Sequence, residues 1–408
     1  MRKASAIYQQ IIASFLKRGL QRFSTWVGLM LLMVFSACEK PPPPPPKPLV
    51  RFSALPLTPK APADNPTTAT KIDLGRLLFF DPILSGDKDV ACATCHHPSN
   101  GYAEFRDISI GVNGSGLGVE RHFNQPNDIP FVKRNAHTIL NTAYNGMDAR
   151  GRYHPERGPM FWDNRVVSLE DQALEPIKAH EEMRGNHFSE AEMLPEVIQR
   201  LRLIPEYSNS FAEAFGVKDT EDTISIKRLS QAIAAFERSL VTPDTRFDRF
   251  LRGDTDALSL SEQDGFTTFK KVGCGNCHTG PMLSDFQRHV LGVPENDKLT
   301  VVDAGPEGDF AFRTPSLRNL RYTAPYMHNG AFASLRSVLE FYEDIALRRQ
   351  RNPAVPVTAH DPLASELTIR MRDIGPILSF LNALNADEFD KTIPESVPSG
   401  LPVGGNIE

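Results

Sequence analysis

An excess of charge of either sign is missing from this sequence of 408 residues, which has 45 Lys and Arg, 50 Asp and Glu, and a formal net charge of -5. Chains that bind nucleic acid normally carry a basic excess or a basic stripe. Long apolar runs are also scarce, and the mean hydropathy is -0.30. These absences argue against nucleic acid as a partner and exclude a polytopic membrane protein.

Alternating apolar and polar residues, the pattern of half-buried strands, are rare, and no repeat of roughly 20–50 residues recurs. Helical spacing is common instead. Leu229, Ile233, Phe236 and Leu240 form one apolar stripe. Similar patterns predict two helices broken at Pro205 within 193–215, a helix capped by Ser261, and a C-terminal helix over 374–384. Residues 111–130 are predicted to form a long loop, and residues 243–255 an inter-domain connection. The sequence therefore predicts a mainly α protein.

Cysteine is scarce too, and four of the five cysteines fall in two identical C-x-x-C-H patterns. The thiols are Cys92, Cys95, Cys274 and Cys277, and the histidines are His96 and His278. In this pattern the thiols add to the two vinyl groups of one heme and the histidine binds its iron. A disulfide network gives no reason for the histidines, zinc ribbons place their pairs about 15–20 residues apart, and thioredoxin-type sites need one pair. The patterns predict two covalently bound heme c groups.

The N-terminus has the features of an export signal. Residues 1–25 are basic and lack acids, an apolar run follows from Trp26 to Phe35, and Cys38 comes after two small residues. This arrangement predicts a signal peptide over 1–38 with a lipobox, and lipidation of Cys38. A plain signal peptide with a chance cysteine and an uncleaved anchor helix are the alternatives. The expected location is the periplasm, as a membrane-anchored lipoprotein.

The rest of the chain divides into four predicted regions. A Pro-rich linker over 39–60 contains six consecutive prolines, which adopt an extended polyproline II rod. The N-terminal heme domain is expected over 61–242 and the C-terminal heme domain over 243–391, followed by a flexible tail over 392–408. The predicted fold is thus two tandem cytochrome c-like heme domains.

Further motifs surround the two heme patterns. They lie at 134–138, 161–165, 168–173, 181–183, 313–319 and 323–330. Together with the heme patterns, this series resembles the bacterial di-heme cytochrome c peroxidase/MauG family, in order from about residue 74 to residue 384. The resemblance implies that His96 holds a peroxide-reactive heme and that His278 holds an electron-transfer heme.

Three more residues receive roles from this resemblance. Trp162 matches the aromatic residue between the hemes, Glu182 matches the distal carboxylate that handles protons, and Gln172 matches its polar neighbour. The alternatives are a packed core tryptophan for Trp162 and a solvated surface acid for Glu182. The resemblance also implies one calcium ion, with Asn135 and the backbone carbonyls of Thr323 and Pro325 as ligands.

Two positions depart from ordinary peroxidases of the family. Val112 stands where a displaceable histidine is usual, so His122 and His137 are the stand-in candidates and we expect an N-terminal iron open to peroxide. Tyr342, fourteen residues after His328, stands where an axial methionine is usual. Tyrosine at this place resembles MauG-type enzymes, and a half-buried core tyrosine is the alternative.

These features leave three functions open. The first is a peroxidase that reduces hydrogen peroxide with electrons from a small periplasmic donor, a cytochrome c or a cupredoxin. The second is a MauG-like oxidase that uses peroxide to oxidise Trp or Tyr residues of a partner protein. The third is a non-enzymatic electron shuttle, which has no need of the Trp162, Gln172 and Glu182 set. A homodimer is among the assemblies that the sequence leaves open.

Overall fold

The protein is described here by a computed structural model that covers residues 49–218 and 223–408. The predicted signal peptide with Cys38 and the consecutive prolines of the linker lie outside these residues. Pro48–Glu408 forms one compact unit. Among the described residues, no helix combines the length and the apolar composition that crossing a membrane requires.

Helices provide most of the regular structure in this part of the chain. The α-helices are α1 (Ala69–Phe80), α2 (Cys92–Cys95), α3 (Leu169–Gln172), α4 (Glu175–Lys178), α5 (Glu190–Arg202), α6 (Pro205–Phe215), α7 (Ile226–Ser239), α8 (Arg246–Leu251), α9 (Leu260–Lys271), α10 (Leu335–Ala346), α11 (Pro362–Ser365) and α12 (Met371–Asn382). A π-helical turn, His180–Arg184, follows α4.

The strands are short and pair in three antiparallel two-stranded sheets in the described residues. They are β1 (Gly114–Ser115) with β2 (His122–Phe123), β3 (Pro159–Met160) with β4 (Val166–Val167), and β5 (Arg288–Val290) with β6 (Ala311–Arg313). The prediction of a mainly α protein is confirmed. The division into two tandem heme domains at residue 242 stays a prediction.

Helix α7 carries the apolar stripe that the sequence predicted, and it packs along α1. Ser225 caps its N-terminus by accepting a hydrogen bond from the backbone N–H of Arg228. Contact with α1 is close because Gly75 has no side chain: a Cβ there would lie 2.1 Å from the carbonyl oxygen of Ala232. The pair forms the centre of an N-terminal hydrophobic cluster that includes Leu74, Leu78, Leu229 and Ile233.

Helices α5 and α6 confirm the predicted break at Pro205, which is the first residue of α6. Proline suits this position because the first turn of a helix does not use its backbone N–H groups. Ser189 and Glu192 form a capping box at the start of α5. The starts of both helices therefore follow from local sequence signals, a capping box for α5 and a proline for α6.

Two predictions in the C-terminal half need correction. Ser259, not Ser261, caps α9, because Glu262 stands three residues after Ser259 and accepts a hydrogen bond from its backbone N–H at 2.9 Å. The predicted connection 243–255 contains α8, which Thr245 caps. Helix α9 packs on α12 around a second hydrophobic cluster that is rich in phenylalanine, with Phe247, Phe266, Phe269 and Phe380.

The segment 392–408, predicted as a flexible tail, makes specific contacts with the N-terminal half. The Ser399 hydroxyl donates to Asp81 at 2.6 Å, and the backbone N–H of Gly404 donates to the carbonyl of Phe80 at 2.8 Å. Arg121, a fully buried side chain, donates to the carbonyl of Asn406 at 3.0 Å. These partners are far away in sequence, so composition alone did not indicate them.

Candidate functional site

The first C-x-x-C-H pattern folds as one helical turn, α2, on the wall of a cavity in the N-terminal half. The hydroxyl of Thr94 fixes this turn by donating to the carbonyl of Gly404 at 2.7 Å. Nδ1 of His96 lies 3.0 Å from the carbonyl oxygen of Tyr102, so Nδ1 is the protonated donor. This hydrogen bond leaves Nε2 of His96 available to bind iron.

The second pattern forms a 3-10 turn, Cys274–Asn276, on the wall of another cavity. The turn begins at Gly273, whose φ of +98° is a conformation that favours glycine. Nδ1 of His278 donates to the carbonyl of Leu283 at 2.9 Å. His278 therefore repeats the arrangement of His96, with Nε2 as the free ligand atom.

The residues of both cavities fit a c-type heme. In the described part of the chain the four thiols are not joined in disulfides, and each pair lines the same cavity as its histidine. Burial lowers the pKa of both His96 and His278, which favours the neutral imidazole that binds iron. Each cavity thus offers two thiols for the vinyl groups and one nitrogen ligand.

Tyr342 lies in α10 and lines the C-terminal cavity. Burial, with smaller contributions from the nearby Cys277 and Cys274, raises the pKa of its phenol. The structure therefore brings Tyr342 into the cavity that holds His278, as the predicted axial ligand requires. Met282 and Met327 line the same cavity and are the alternative donors there.

Glu182 and Gln172 both line the N-terminal cavity. Glu182 lies in the π-helical turn His180–Arg184, and such turns are frequent at functional sites. Burial, with the charge of Glu181 as a further cause, raises the pKa of Glu182 to about 7. A carboxyl group with this pKa can both accept and donate a proton near neutral pH.

The loop 109–114 packs directly against the turn that carries Glu182. The backbone N–H of Val112 donates to the carbonyl of Glu182 at 3.0 Å. Gly111 permits this approach, since a Cβ there would lie 2.2 Å from the same carbonyl oxygen. Val112 itself is fully buried in the N-terminal hydrophobic cluster and is not among the residues that line the cavity.

Trp162 lines both cavities and is only 8% exposed. It lies in the turn between β3 and β4, and its indole N–H donates to the carbonyl of Asn135 at 2.9 Å. Its own carbonyl accepts a hydrogen bond of 2.7 Å from the backbone N–H of Arg313, which belongs to β6. The indole is therefore fixed between the two candidate heme sites.

Comparison of the sequence with known proteins identifies the family of this chain. The sequence model described as "Di-haem cytochrome c peroxidase" matches residues 69–256. Cytochrome-c peroxidase IdrP1 of Pseudomonas sp. (strain SCT) is 32% identical over 391 residues, which cover 85% of this chain and 91% of that protein. The chain belongs to the di-heme cytochrome c peroxidase/MauG family.

Two further relatives come from the MauG side of this family. Methylamine utilization protein MauG of Methylorubrum extorquens is 33% identical over 340 residues, which cover 82% of this chain and 83% of that protein. The crystal structure of a MauG-like protein associated with microbial copper homeostasis is similar with a TM-score of 0.64 and 26% identity, over 81% of this chain and 93% of that one. Membership makes the chain an oxidoreductase of the peroxidase class and implies two heme groups.

The predicted calcium ligands Asn135, Thr323 and Pro325 all line the C-terminal cavity. The side-chain amide of Asn135 donates to the carbonyls of Arg106 and Asp107 at 2.7 and 3.2 Å, so its Nδ2 is engaged. Its oxygen is the side-chain atom that a cation would use. The calcium ion stays a prediction.

The two stand-in histidines occupy different places. His122 is exposed on β2 and does not line the N-terminal cavity, so the structure does not bring it to the candidate heme site. His137 lines both cavities, lies 5.4 Å from Trp162 between ring centroids, and accepts a hydrogen bond of 3.0 Å from Arg313. Burial and the adjacent Arg313 charge lower the pKa of His137 to about 3.

Sequence reasoning did not single out Glu237, a buried acid of the N-terminal cavity. Glu237 follows Ile233 by four residues on α7, so it lies on the apolar face of that helix. A carboxylate on the buried face of an amphipathic helix is the signal that could have identified it. The sequence also gave no indication that Arg313 is the partner of His137, because 176 residues separate the two.

Proposed function

We propose that this chain is a c-type di-heme peroxidase that reduces hydrogen peroxide to water in its N-terminal cavity, with electrons relayed from the C-terminal cavity. One observation carries the proposal: each cavity has its own C-x-x-C-H turn, Trp162 lines both, and Glu182 lines only the N-terminal one. Heme, when bound by thioether bonds to the cysteines, supplies the redox-active iron of each cavity. A simple electron shuttle has no use for the buried acid.

Glu182 handles the proton of the bound peroxide in this proposal. Cleavage of the O–O bond is helped when a base takes a proton from one peroxide oxygen and returns it to the other, which leaves as water. Burial and the neighbouring Glu181 hold the pKa of Glu182 at about 7, so its carboxylate and its acid differ little in free energy. Gln172 on the same wall offers amide hydrogen bonds that orient the peroxide.

Trp162 provides the path for electrons between the cavities. Its indole N–H is bonded to a backbone carbonyl, which accepts a hydrogen bond but does not take a proton. Electron loss from Trp162 therefore leaves the proton on the indole, and electron return restores the starting state. His137, which is neutral and lies beside the indole, adds no charge to it.

A MauG-like oxidase is the second candidate, and Tyr342 is the observation that favours it. A phenolate oxygen is a hard anionic ligand that stabilises oxidised iron, whereas methionine raises the reduction potential. If Tyr342 and His278 both held the iron of a bound heme, the C-terminal site would favour oxidising equivalents rather than electrons from a donor. The substrate would then be Trp or Tyr residues of a partner protein.

One experiment separates these functions. Purified holoprotein is mixed with hydrogen peroxide and a reduced small donor, a cytochrome c or a cupredoxin, and the oxidation of the donor is followed by absorbance. The peroxidase function predicts steady turnover with two donor electrons per peroxide. Peroxide consumption by the protein without oxidation of either donor would contradict it and would favour the oxidase.

The location of the enzyme is a separate proposal, which rests on residues 1–38. We place the protein in the periplasm with a lipid on Cys38, because a basic segment, an apolar run and small residues precede this cysteine. Replacing Cys38 by Ser should release the exported protein from the membrane into the soluble periplasmic fraction. Membrane association that survives the replacement would indicate an anchor helix instead.

Calcium completes the proposal. We assign one ion to the wall formed by Asn135, Thr323 and Pro325, because amide and carbonyl oxygens suit this hard cation. Since Asn135 also accepts the hydrogen bond of Trp162, removal of the ion should disturb electron relay. Dialysis against a chelator, metal analysis and a titration with calcium that follows donor oxidation check this assignment.

A further inference from the structure

We propose that Glu237 is a second functional acid of the N-terminal cavity, which supplies one of the two protons that each peroxide consumes. The proposal rests on the peroxidase function above. Glu182 returns a proton that the peroxide already carries, so it adds none. Reduction of hydrogen peroxide to two water molecules requires two electrons and two further protons, and Glu237 is positioned to provide one of them.

The placement of Glu237 carries the argument. Its side chain extends from α7 and lines the same cavity as Glu182 and the first heme-binding cysteines, although it is only 4% exposed. Its Oε2 is buried and finds no hydrogen-bond partner among the residues that the structure describes. A buried carboxyl oxygen without a partner has lost its hydrogen bonds to water without replacement, so its presence at the wall of a reaction site calls for an explanation.

Among the residues that the structure describes, Glu237 forms no ion pair with the charged groups of α1, α3 and α7. Arg238, the next residue on α7, is bonded to Glu170 of α3 at 2.6 Å. Lys71 of α1 donates to Asn65 at 3.0 Å and to the carbonyl of Pro66. Among the cavity residues, Cys92 is near Glu237: burial, with the charge of Glu237 as a further cause, raises the pKa of its thiol.

Burial therefore determines the protonation state of this residue. It raises the pKa of Glu237 to about 8, and the attraction of Arg238 offsets it only in part. Glu237 is thus a neutral acid at neutral pH, whereas Glu182, with a pKa of about 7, is close to half ionised. The two acids can therefore act in different protonation states at the same pH.

The step balances as follows. The O–H bond of the Glu237 carboxyl group breaks, a new O–H bond forms on the oxygen that remains after the first water has left, and Glu237 remains as a carboxylate. The second proton and the proton that restores Glu237 come from solvent, and both electrons come from the reduced donor. The carboxylate is unstable in its buried position, so proton uptake follows each turnover.

The experiment compares wild-type holoenzyme with Glu237→Gln, Glu237→Asp and Glu104→Gln. Glu104 is the matched control, since it is a fully buried acid whose pKa burial raises to about 7, and it does not line the N-terminal cavity. Infrared difference spectra before and after peroxide report the loss of a protonated carboxyl group. Donor oxidation and heme content are measured on the same samples.

We expect the wild type to lose a carboxylic-acid band on reaction with peroxide and Glu237→Gln to lack this change. Donor oxidation should fall about 100-fold in Glu237→Gln, the lower end of the range for general acid–base catalysis. Glu237→Asp should restore part of the rate and shift the band, and Glu104→Gln should keep the wild-type change. If Glu237→Gln fails to take up both hemes, the shifted band of Glu237→Asp decides.

An unchanged band in Glu237→Gln and in Glu237→Asp, with normal heme content, would overturn the proposal. A wild-type rate in Glu237→Gln would overturn it as well. Failure of the peroxidase function looks different, because then no donor is oxidised by any variant, including the wild type. In that case the infrared band still shows whether Glu237 releases a proton when peroxide reacts.

Discussion

The two cavities contain the same heme-binding pattern in different surroundings. In the N-terminal cavity, the acids Glu182 and Glu237 are buried, and burial raises their pKa values to about 7 and about 8. The C-terminal cavity is lined largely by aliphatic and aromatic side chains, among them Tyr342. Under the proposed peroxidase function, this difference favours proton transfer in the N-terminal cavity and electron transfer in the other.

Some charged groups of the C-terminal cavity are held in ion pairs. His289 donates to Asp285 at 2.9 Å and to Asp361 at 2.8 Å. Burial opposes a charged imidazole, but the two carboxylates outweigh it and raise the pKa of His289 to about 12. Cys277, Asp285 and His289 lie close enough to hold a metal ion, yet both ring nitrogens of His289 are occupied by carboxylates. A group this firmly charged does not exchange protons near neutral pH.

Replacing Glu182 in the N-terminal cavity should have the largest effect on the rate of reaction with peroxide. Glu182→Gln keeps the size of the side chain but cannot accept a proton, so we expect the reaction with peroxide to slow by about 10²- to 10⁴-fold. Stopped-flow absorbance measures this rate, and heme content should be unchanged. Glu181→Gln is the control on the neighbouring residue, with an expected loss of a few-fold at most.

Breaking the buried ion pair at the C-terminal cavity should cost stability. Arg318 lines this cavity and donates to both oxygens of Asp248 at 2.7 and 2.8 Å, with both side chains buried. Arg318→Leu leaves an unpaired buried carboxylate and should lower the free energy of unfolding by about 3–5 kcal/mol. Urea unfolding followed by circular dichroism measures this loss. Arg321→Leu, an exposed position, should cost less than about 0.5 kcal/mol.

Replacing Tyr342 by Met should change the C-terminal heme and leave the N-terminal one as it is. We expect a rise in its reduction potential on the order of 100 mV, well within the ~0.8 V over which axial ligands set heme potentials. Spectroelectrochemical titration and electron paramagnetic resonance measure the potential and the ligand set. Tyr326→Phe removes another phenol from the same cavity and should change neither. An unchanged spectrum in Tyr342→Met would show that Tyr342 is not a ligand.

The smallest expected effect is the change of kcat/KM with pH, in which Glu182 and Glu237 should each produce one limb of the profile. Glu182 must be ionised to take a proton, so kcat/KM should rise as pH passes about 7. Glu237 must be protonated to give one, so kcat/KM should fall as pH passes about 8. Glu182→Gln should abolish the rising limb and Glu237→Gln the falling one. Limbs that persist in both variants would assign the profile to other groups.

The parts of the site that sequence could predict depend on local spacing. A C-x-x-C-H pattern places two thiols and an imidazole within five consecutive residues, whatever surrounds it. Both patterns form short helical turns in the structure. Tyr342 was identified by its distance from His328 along the chain, and it does line the predicted cavity. Helix α7 could be predicted because its apolar stripe is continuous.

Long-range contacts decided what could not be predicted. The choice between Ser259 and Ser261 as the cap of α9 is the exception, because Glu262, three residues after Ser259, is a local signal that could have decided it. The neutral state of Glu237 depends on burial under other helices, and the pairing of His137 with Arg313 joins residues from different halves of the chain. Neither burial nor distant pairing leaves a regular pattern in the sequence.

The hydrogen bond between Thr94 and Gly404 joins positions that are 310 residues apart and holds the first attachment turn from the far end of the fold. Gly404 is synthesised long after the first cysteine pair, so this hydrogen bond can form only when the residues between them have been made. The geometry of the earliest attachment turn therefore depends on a segment that the ribosome adds much later.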